Sequence, residues 1–245
     1  MEIIAHRGAS HDAPENTLAA ARLAWAQQAD ALECDVHLTR DGRLVVVHDD
    51  DLQRVGGRAM RIADATLAEL REVDVGGGTN PDFRPEKIPE LDELIAITPP
   101  SRRLFVELKG GPALVEELAR SLARTRFDET RLVVISFNLE AVRRAKSRLP
   151  RTEVCWIVDR EGAMAHATIA ELVQQAQGAG LDGLDLDYQW PVDGAVVRSV
   201  HAVGMKLYVW TVDDVNAAYR LCRDGVDGIA TNRPGWMRGE LQKTV

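Results

Sequence analysis

A regular alternation of short apolar runs with helix-like segments constrains the fold more than any other feature of this chain. The apolar runs begin with Ile3-Ile4-Ala5 and end with Asp227–Thr231, and eight of them have the pattern of parallel strands. Strands that alternate with helices form a parallel sheet, because each crossover returns the chain in the same direction. Eight such units in 245 residues favour an α/β fold of the closed (β/α)8 type, a TIM barrel.

The predicted elements follow from hydrophobic periodicity. After the first strand, the predicted strands are Ala31–Val36, Leu104–Lys109, Leu132–Phe137, Val154–Val158, Gly183–Tyr188, Leu207–Thr211 and Asp227–Thr231. The predicted helices are Glu15–Gln28, Ala113–Arg126, Leu139–Arg148, Ala165–Gly178, Val192–Val203, Asp214–Asp224 and a short last helix near Trp236. The alternative is an open doubly wound sheet, but the chain has neither GxGxxG after a strand nor GxxxxGK[ST].

The alternation breaks after the second strand. Asp41-Gly42 between two β-like runs predicts a two-residue hairpin turn. That register sets Asp35 opposite His48, and a shift of one residue would turn His48 to the other face. A stretch rich in glycine, proline and charge follows, including Gly76-Gly77-Gly78. We therefore expect a single domain over residues 1–245, with a small insertion at about residues 50–88.

Composition excludes several classes of protein. The net charge of −8 disfavours nucleic-acid binding, which needs a basic face. No apolar run approaches the roughly 18 residues of a membrane helix, and no basic region followed by an apolar run begins the chain. The three cysteines are far apart and form no CxxC, which indicates reduced thiols. We expect a cytoplasmic protein with no nucleic-acid partner and no stable membrane association; a homo-oligomer is compatible with the sequence.

Polar residues fall where the predicted strands end. His6 follows the first strand, Glu33 and Asp35 share a face of the second, and Glu107 and Lys109 share a face of the third. Reactive residues of parallel barrels gather at these strand ends. Carboxylates that converge there would repel one another, and a divalent cation would remove the repulsion. An all-oxygen site favours Mg²⁺ or Ca²⁺ over zinc.

Each of these residues also has a structural interpretation. A histidine at a strand end is commonly structural, Glu33 or Asp35 could cap a turn or pair with an arginine, and Glu107 could simply pair with Lys109. Tyr208 and Trp210 share a face that could fill the core or line a substrate site. Asp185 and Asp187 repeat the one-face pattern as weaker candidates. The residues expected at the surface are His11, His37, His166, His201, Arg102-Arg103 and Arg143-Arg144.

The motifs resemble those of the glycerophosphodiester phosphodiesterase family, of the bacterial cytosolic type, over nearly the whole chain. The opening half carries the specific part of the resemblance, in the series His6-Arg7-Gly8, Glu15-Asn16-Thr17, Glu33-Cys34-Asp35, Leu38–Gly42 and Val47-His48-Asp49. The match continues in Glu107-Leu108-Lys109, Ser136-Phe137, Val209–Val212 and Gly225–Pro234. Two departures, Asp213 and Glu90, are expected to affect loop packing or substrate preference and not the chemistry.

The resemblance implies a barrel with an insertion after strand two, one divalent cation held by Glu33, Asp35 and Glu107, and an acid–base pair formed by His6 and His48. A phosphodiester is anionic, so Arg7 and Lys109 are expected to bind it, with Trp210 as a wall of the substrate site. Glu15 and Asn16 are expected to support the metal site or a histidine, although Asn16 could instead cap the next helix.

We assign His6 as the base and His48 as the acid, because carboxylates beside His48 would favour its charged form. The order of the two roles stays open, as does the choice between water and the glycerol hydroxyl as the attacking group.

The implied reaction is hydrolysis of glycerophosphodiesters to sn-glycerol 3-phosphate and an alcohol. A lysophospholipase D is the second enzymatic interpretation, although no amphipathic basic segment indicates membrane docking. A catalytically silent barrel that binds a phosphorylated metabolite is the alternative from another class. The sequence leaves the preferred alcohol and the physiological metal open.

Overall fold

Eight parallel strands close into a barrel, which confirms the (β/α)8 prediction. The structure is a computed structural model and describes residues 1–76, 81–161, 164 and 166–243. Within these residues the strands are Glu2–Ala5 (β1), Ala31–Leu38 (β2), Leu44–Val46 (β3), Asp51–Leu52 (β4), Arg58–Arg61 (β5), Arg103–Leu108 (β6), Leu132–Ser136 (β7), Glu153–Val158 (β8), Gly183–Asp187 (β9), Lys206–Trp210 (β10) and Gly228–Thr231 (β11). The order around the barrel is β1, β2, β6, β7, β8, β9, β10 and β11, and β1 pairs with both β2 and β11 to close it.

Helices surround the barrel between its strands. They are Leu18–Ala26 (α1), Gln53–Gly56 (α2), Leu67–Leu70 (α3), Leu91–Ala96 (α4), Ala113–Thr125 (α5), Leu139–Arg148 (α6), Ile169–Gly178 (α7), Gly194–Ala202 (α8), Val215–Asp224 (α9) and Pro234–Gln242 (α10). Short 3-10 helices lie at Ile62–Asp64, Pro81–Phe83 and Glu129–Arg131. Among the described residues, no helix combines the length and apolar character required to span a bilayer.

Helix α1 begins later than the periodicity predicts, and this difference shapes the barrel mouth. Thr17 caps the helix, because its hydroxyl accepts a hydrogen bond from the Ala20 amide. Glu15 and Asn16 therefore lie in the loop before the helix. Helix α7 is capped in the same way by Thr168, so it begins at Ile169; the predicted start at Ala165 lies outside the described residues.

The barrel interior is built in layers. The strands of the barrel are staggered, so side chains at one height come from every second strand. Between such strands, the inward residue at the same height lies two positions further along than the residue paired in the sheet register, as in other barrels of this class. One level contains Glu33, Ile135, Asp185 and Ala230, and the level above it contains His6, Glu107, Ile157 and Trp210. Below them lies an apolar filling with Ile4, Phe105, Val133, Cys155 and Tyr208.

The N-terminal end of the barrel is closed by an ion-pair cluster around Arg103. Its guanidinium donates hydrogen bonds to Glu2 at 2.9 Å and to Glu153 at 2.8 Å, and it lies 3.2 Å from the Tyr208 hydroxyl. The expectation that Arg103 is a solvated surface residue is therefore wrong. The arginine lies beneath the apolar filling, where three polar partners compensate its partial burial.

The hairpin between β2 and β3 differs from the predicted register by one residue. The turn has three residues, Arg40–Gly42, because the Thr39 amide donates to the Arg43 carbonyl at 2.9 Å and Gly42 takes a positive φ of 75°. Val47 therefore lies opposite Asp35, and the two-residue turn is wrong. His48 still faces the barrel, since β3 ends at Val46 and the strand parity no longer sets its direction.

The inserted segment has its own small apolar core. Its β4 and β5 pair antiparallel, and a separate cluster contains Val45, Val47, Leu52, Ile62, Ala65, Leu70, Val73, Val75 and Ile88. The Val46 amide donates to the Pro89 carbonyl at 2.9 Å, which joins the end of the insertion to the hairpin. Gly77 and Gly78 of the predicted glycine run lie outside the described residues.

Candidate active site

A cavity of about 120 Å³ opens at the C-terminal end of the barrel strands, where the sequence predicts the site. Its polar half is lined by His6, Arg7, Glu33, His48, Glu107 and Lys109. Its apolar half is lined by Ile135, Phe137, Ile157, Trp210 and Ala230. The structure thus brings together both predicted histidines, both predicted cations, Trp210 and two of the three predicted carboxylates, and Asp35 lies directly behind them.

Three buried carboxylates form a compact cluster. Glu33, Asp35 and Glu107 each offer an oxygen, and these atoms lie within 4.8 Å of one another. Glu33 Oε1 is buried and has no hydrogen-bond partner in the described part of the chain, and the buried Asp35 Oδ1 has only a longer contact of 3.4 Å, to Lys109 Nζ. Unsatisfied buried oxygens of this kind are expensive unless they bind an ion. The donor set, three carboxylates and no sulfur, therefore fits a hard divalent cation.

Burial and the charges of neighbouring groups shift the pKa values of the three carboxyl groups. Burial raises the pKa of Glu33, and the charges of Asp35 and Glu107 raise it further. Burial and Asp35 raise the pKa of Glu107 to about 7. Although burial acts in the opposite direction on Asp35, the charges of Arg7 and Lys109 lower its pKa to about 2. Asp35 is thus the permanently ionised member of the cluster.

Two cations flank these carboxylates. Lys109 Nζ lies 2.9 Å from Glu107 Oε1 and 3.4 Å from Asp35 Oδ1. Arg7 Nε lies 3.2 Å from Asp35 Oδ2, and the Arg7 amide donates to Glu33 Oε2 at 2.9 Å. Three carboxylates against two cations leave one negative charge in excess, which a divalent cation would reverse.

The Arg7-Gly8 turn depends on close packing against helix α1. Arg7 and Gly8 both have positive φ values, 55° and 83°. A Cβ atom at Gly8 would lie 2.7 Å from the Ala20 Cβ atom, so only glycine fits this position. The turn directs the Arg7 amide to Glu33 and its guanidinium to Asp35.

His6 is held in one tautomer by two residues from the far end of the chain. Asn232 Nδ2 donates to Asp213 Oδ2 at 2.6 Å, and a carboxylate can only accept, so the amide orientation is fixed. Asn232 Oδ1 then faces His6 Nδ1 at 2.8 Å, which must donate. His6 Nε2 is left as an acceptor, 4.0 Å from Glu33 Oε2. Burial and the charge of Arg7 lower the pKa of His6 and keep its ring neutral.

His48 is held by a carboxylate instead of an amide. Its Nδ1 lies 2.7 Å from Asp49 Oδ1, and its carbonyl oxygen lies 3.0 Å from His37 Nε2. The hydrogen bonds from Arg54, with that from His48, lower the pKa of Asp49 to about 2. The ionised Asp49 accepts from His48 Nδ1 and so directs His48 Nε2 away from this carboxylate. The expectation that His37 is an unpartnered surface residue is wrong, because it holds the His48 backbone.

The loop before α1 forms hydrogen bonds with the carboxylate cluster, with Arg7 and with the insertion. Asn16 Nδ2 donates to Asp35 Oδ2 at 2.8 Å, and Asn16 Oδ1 accepts from the Asp35 amide at 3.3 Å. Asn16 thus clamps a carboxylate of the cluster, while Thr17 caps the helix. Glu15 accepts hydrogen bonds from Arg7 at 3.1 Å and from Arg54 at 2.8 Å, and so links the barrel to the insertion.

The two aromatic residues of β10, Tyr208 and Trp210, lie at different depths in the barrel. Trp210 lines the cavity, packs edge-on against Phe137 with ring centroids 5.6 Å apart, and donates from its indole N–H to the Asp185 carbonyl at 3.2 Å. Tyr208 lies below it in the core. The face that the two residues share therefore fills the core through Tyr208 and lines the cavity through Trp210. Burial and the charge of Glu107 raise the pKa of Asp185, the remaining cavity residue, to about 8.

Comparison with known proteins agrees with this geometry. Residues 6–236 match the family model described as the Glycerophosphoryl diester phosphodiesterase family. The chain belongs to this family. Its members are phosphoric diester hydrolases, the class of enzyme that the motifs predict.

Relatives of the phosphodiesterase span nearly its full length. A glycerophosphodiester phosphodiesterase from Caldanaerobacter subterraneus is 32% identical over 237 residues, which cover 95% of this chain and 94% of that protein. YhdW from Bacillus subtilis, provisionally named as the same enzyme, is 33% identical over 240 residues, 97% and 96% of the two chains. A solved phosphodiesterase from Oleispira antarctica, in complex with the product sn-glycerol-3-phosphate, has a TM-score of 0.88 at 28% identity and covers 99% of this chain and 97% of that one.

Sequence reasoning about this phosphodiesterase missed several residues at the site. Asp213, expected to stay apart from the chemistry, orients the partner of His6, whereas Glu90 has the packing role expected of it and pairs with Arg43. Asn232, Asp49 and Arg54 were not singled out. Asn232 directly follows β11 and Asp213 comes three residues after the end of β10, so the strand-end rule that indicated His6 and Glu33 would have found them.

Proposed function

We propose that this phosphodiesterase hydrolyses glycerophosphodiesters, such as glycerophosphocholine, to sn-glycerol 3-phosphate and an alcohol, and that it requires one divalent cation, Mg²⁺ or Ca²⁺. The observation that carries the proposal is one cavity with two oriented imidazoles and two cations around three clustered carboxylates. The product bound by the Oleispira antarctica relative supports the substrate class.

Glu33, Asp35 and Glu107 would hold the cation, which would supply Lewis-acid stabilisation of the charge that develops on the phosphate oxygens. The unpartnered Glu33 Oε1 and the clustering of the three carboxylates support this set of ligands. Arg7 and Lys109 would bind the non-bridging phosphate oxygens, because both cations line the cavity. Trp210 and Phe137 would exclude water from one side of the substrate.

His6 Nε2 would accept the proton of the nucleophile. Its role is supported by the tautomer that Asn232 imposes, because the cavity-facing nitrogen is free to accept. His48 would donate a proton to the departing alkoxide. Asp49 supports this role, since a carboxylate that accepts from Nδ1 fixes the orientation of the ring and of Nε2.

Activity measurements with metal control test the proposal. The purified protein is treated with EDTA and assayed for sn-glycerol 3-phosphate with glycerophosphocholine, before and after Mg²⁺ or Ca²⁺ is added. We expect no turnover in EDTA, recovery with one of the ions, and loss in His6→Ala and His48→Ala. His201→Ala is the matched control, because this exposed histidine pairs with Asp227 outside the cavity. Full activity in EDTA would refute the metal requirement.

The same assay separates the other candidate functions. Faster release of choline from lysophosphatidylcholine than from glycerophosphocholine would identify a lysophospholipase D. Thermal stabilisation by sn-glycerol 3-phosphate without turnover of either substrate would identify a silent binding protein. Phosphorus NMR during a single turnover shows whether a cyclic phosphate forms, and hence whether water or the neighbouring hydroxyl attacks.

We further propose that residues 1–245 act as one domain in the cytoplasm, on a small-molecule substrate and without a nucleic-acid or stable membrane partner. The hydrogen bonds from Arg54 to Glu15 support the single domain, since they join the insertion to the barrel. The unpaired thiols of Cys34, Cys155 and Cys222 support a reducing compartment, and the net charge of −8 opposes nucleic-acid binding. Light scattering would establish whether the protein is a homo-oligomer.

A further inference from the structure

Asp185 is the one acidic residue of the cavity that neither the carboxylate cluster nor the acid–base pair uses. It lies on β9 with only 5% of its surface exposed, and its side chain lines the cavity. Its Oδ1 atom is buried and has no hydrogen-bond partner within the described residues. A buried carboxyl group without a partner destabilises the folded protein, so its retention needs a reason outside folding.

The barrel register gives the place of Asp185 in the cavity. It shares the lower of the two cavity levels with Glu33, Ile135 and Ala230. Strands β2 and β9 are four places apart in the eight-stranded order, so Asp185 lies across the barrel from Glu33. Its remaining neighbours on this level, Ile135 and Ala230, offer only apolar atoms.

Asp185 is not part of the metal-binding cluster. The ligand atoms that lie within 4.8 Å of one another come from Glu33, Asp35 and Glu107 and, among the described residues, do not include Asp185. No lysine or arginine pairs with it in the described chain either, whereas Asp35 and Glu107 both contact Lys109. Asp185 therefore lines the space in which the substrate would bind, and no cation neutralises it within the described residues.

The shape of the site indicates which part of the substrate reaches this floor. This step rests on the proposed function, which puts the phosphate beside Arg7 and Lys109. His48 lines both the cavity and an adjoining open groove that contains Asp49 and Asn138. The alcohol that receives its proton from His48 would leave through this groove, where groups of different size fit. The enclosed floor is then left for the three-carbon glycerol unit.

We propose that Asp185 forms a hydrogen bond with the terminal hydroxyl of the substrate's glycerol moiety and thereby selects glycerol esters over esters of diols that lack this hydroxyl. A carboxyl group can bond a hydroxyl group in either protonation state, so the contact does not depend on its ionisation. Glu33, the other polar residue of this level, is assigned to the cation, and Ile135 and Ala230 offer the hydroxyl no partner. Sites built to bond a substrate hydroxyl discriminate strongly against analogues without it.

A pair of substrates tests this role. Glycerophosphocholine is compared with the phosphocholine diester of propane-1,2-diol, which keeps the hydroxyl next to the ester carbon and lacks the terminal one. For the wild-type protein we expect kcat/KM to be about 10- to 100-fold higher for the glycerol ester. In Asp185→Ala the ratio should fall to about 3 or less, through loss of the glycerol ester's rate and with little change for the deoxy analogue.

Two variants and a stability measurement exclude a structural role. Asp185→Asn keeps a group that bonds hydroxyls and should restore most of the preference. Asp187→Asn changes the next inward carboxyl of β9, whose Oδ1 accepts from the Gln189 amide, and should behave as wild type. Because Asp185 has no partner to lose, Asp185→Ala should melt no lower than the wild-type protein without substrate.

Two results would overturn the inference: an unchanged ratio of kcat/KM in Asp185→Ala, whether or not both rates fall, or a lower melting temperature of that variant. Wild-type protein that turns over neither diester, with Mg²⁺ or Ca²⁺ present, would instead refute the proposed function. The two failures are thus distinguished by the wild-type rate alone.

Discussion

Exchanging Asp213 and Asn232 tests the proposed role of His6 without removing a hydrogen bond. In Asp213→Asn/Asn232→Asp, the new amide can accept from the Thr231 hydroxyl and the residue 232 amide, as Asp213 does now at 2.8 and 2.9 Å. It can also donate to the new carboxylate at position 232. The charge of the protein does not change, but His6 Nδ1 now donates to a carboxylate and no longer to an amide.

The expected effect is a shift in the pH profile. A hydrogen bond to an ionised group contributes about 1.5–3 kcal/mol and one between neutral groups about 0.5–1.5 kcal/mol, a difference of about 1–1.5 kcal/mol. At about 1.36 kcal/mol per unit, the exchange should raise the pKa of His6 by about one unit. A base works only when it is unprotonated, so the acidic limb of kcat/KM should move about one pH unit upward, with the rate at pH 8 little changed.

The assay is kcat/KM for glycerophosphocholine from pH 5 to 9 at saturating metal. The control is Asp213→Asn alone, which leaves a neutral partner on His6 and removes a charge that raises its pKa, so its acidic limb should not move upward. An acidic limb that stays in place in the exchanged variant would show that His6 is not the base.

Three further predictions concern stability, measured by urea denaturation. Arg103→Met should lower the free energy of unfolding by about 2 kcal/mol, since its carboxylate partners beneath the barrel lose their cation, while kcat stays the same. Gly8→Ala should cost about 2 kcal/mol, because of its φ of 83° and the clash with Ala20; a stable variant would contradict this. Glu107→Gln should stabilise the metal-free protein at pH 8 by about 1–3 kcal/mol, because burial and neighbouring charge raise the pKa of Glu107 to about 7. This gain should grow as the pH rises from about 4.5 to about 7 and vanish in acid; a gain independent of pH would refute its cause.

The part of the site that sequence could predict is the part set by strand parity. Glu33 and Asp35 share a face because they are two residues apart, and Glu107 joins them because parallel strands end at one edge. The hairpin register could not be predicted in this way. Asp41-Gly42 suits both a two-residue turn and a three-residue turn that ends in a glycine of positive φ, and the sequence alone does not decide between them.

The residues that hold the two histidines could not be predicted from the sequence for a different reason. Asp49 is adjacent to His48 in sequence, but its role depends on Arg54, which reaches it only after the insertion folds. Asn232 is separated from His6 by 226 residues and becomes its neighbour only because β11 pairs with β1 to close the barrel. Local pattern identified the reactive groups, whereas tertiary pairing determines which nitrogen of each ring is available.

Arg54 hydrogen-bonds to both Asp49 and Glu15, and through it two separate parts of the chain contribute to the site. The proposed base and the proposed metal ligands lie on the barrel strands and the segments that follow them, whereas the proposed acid is held by Asp49, which Arg54 of the insertion contacts. Changes in the insertion should therefore alter the departure of the alcohol more than the binding of the phosphate.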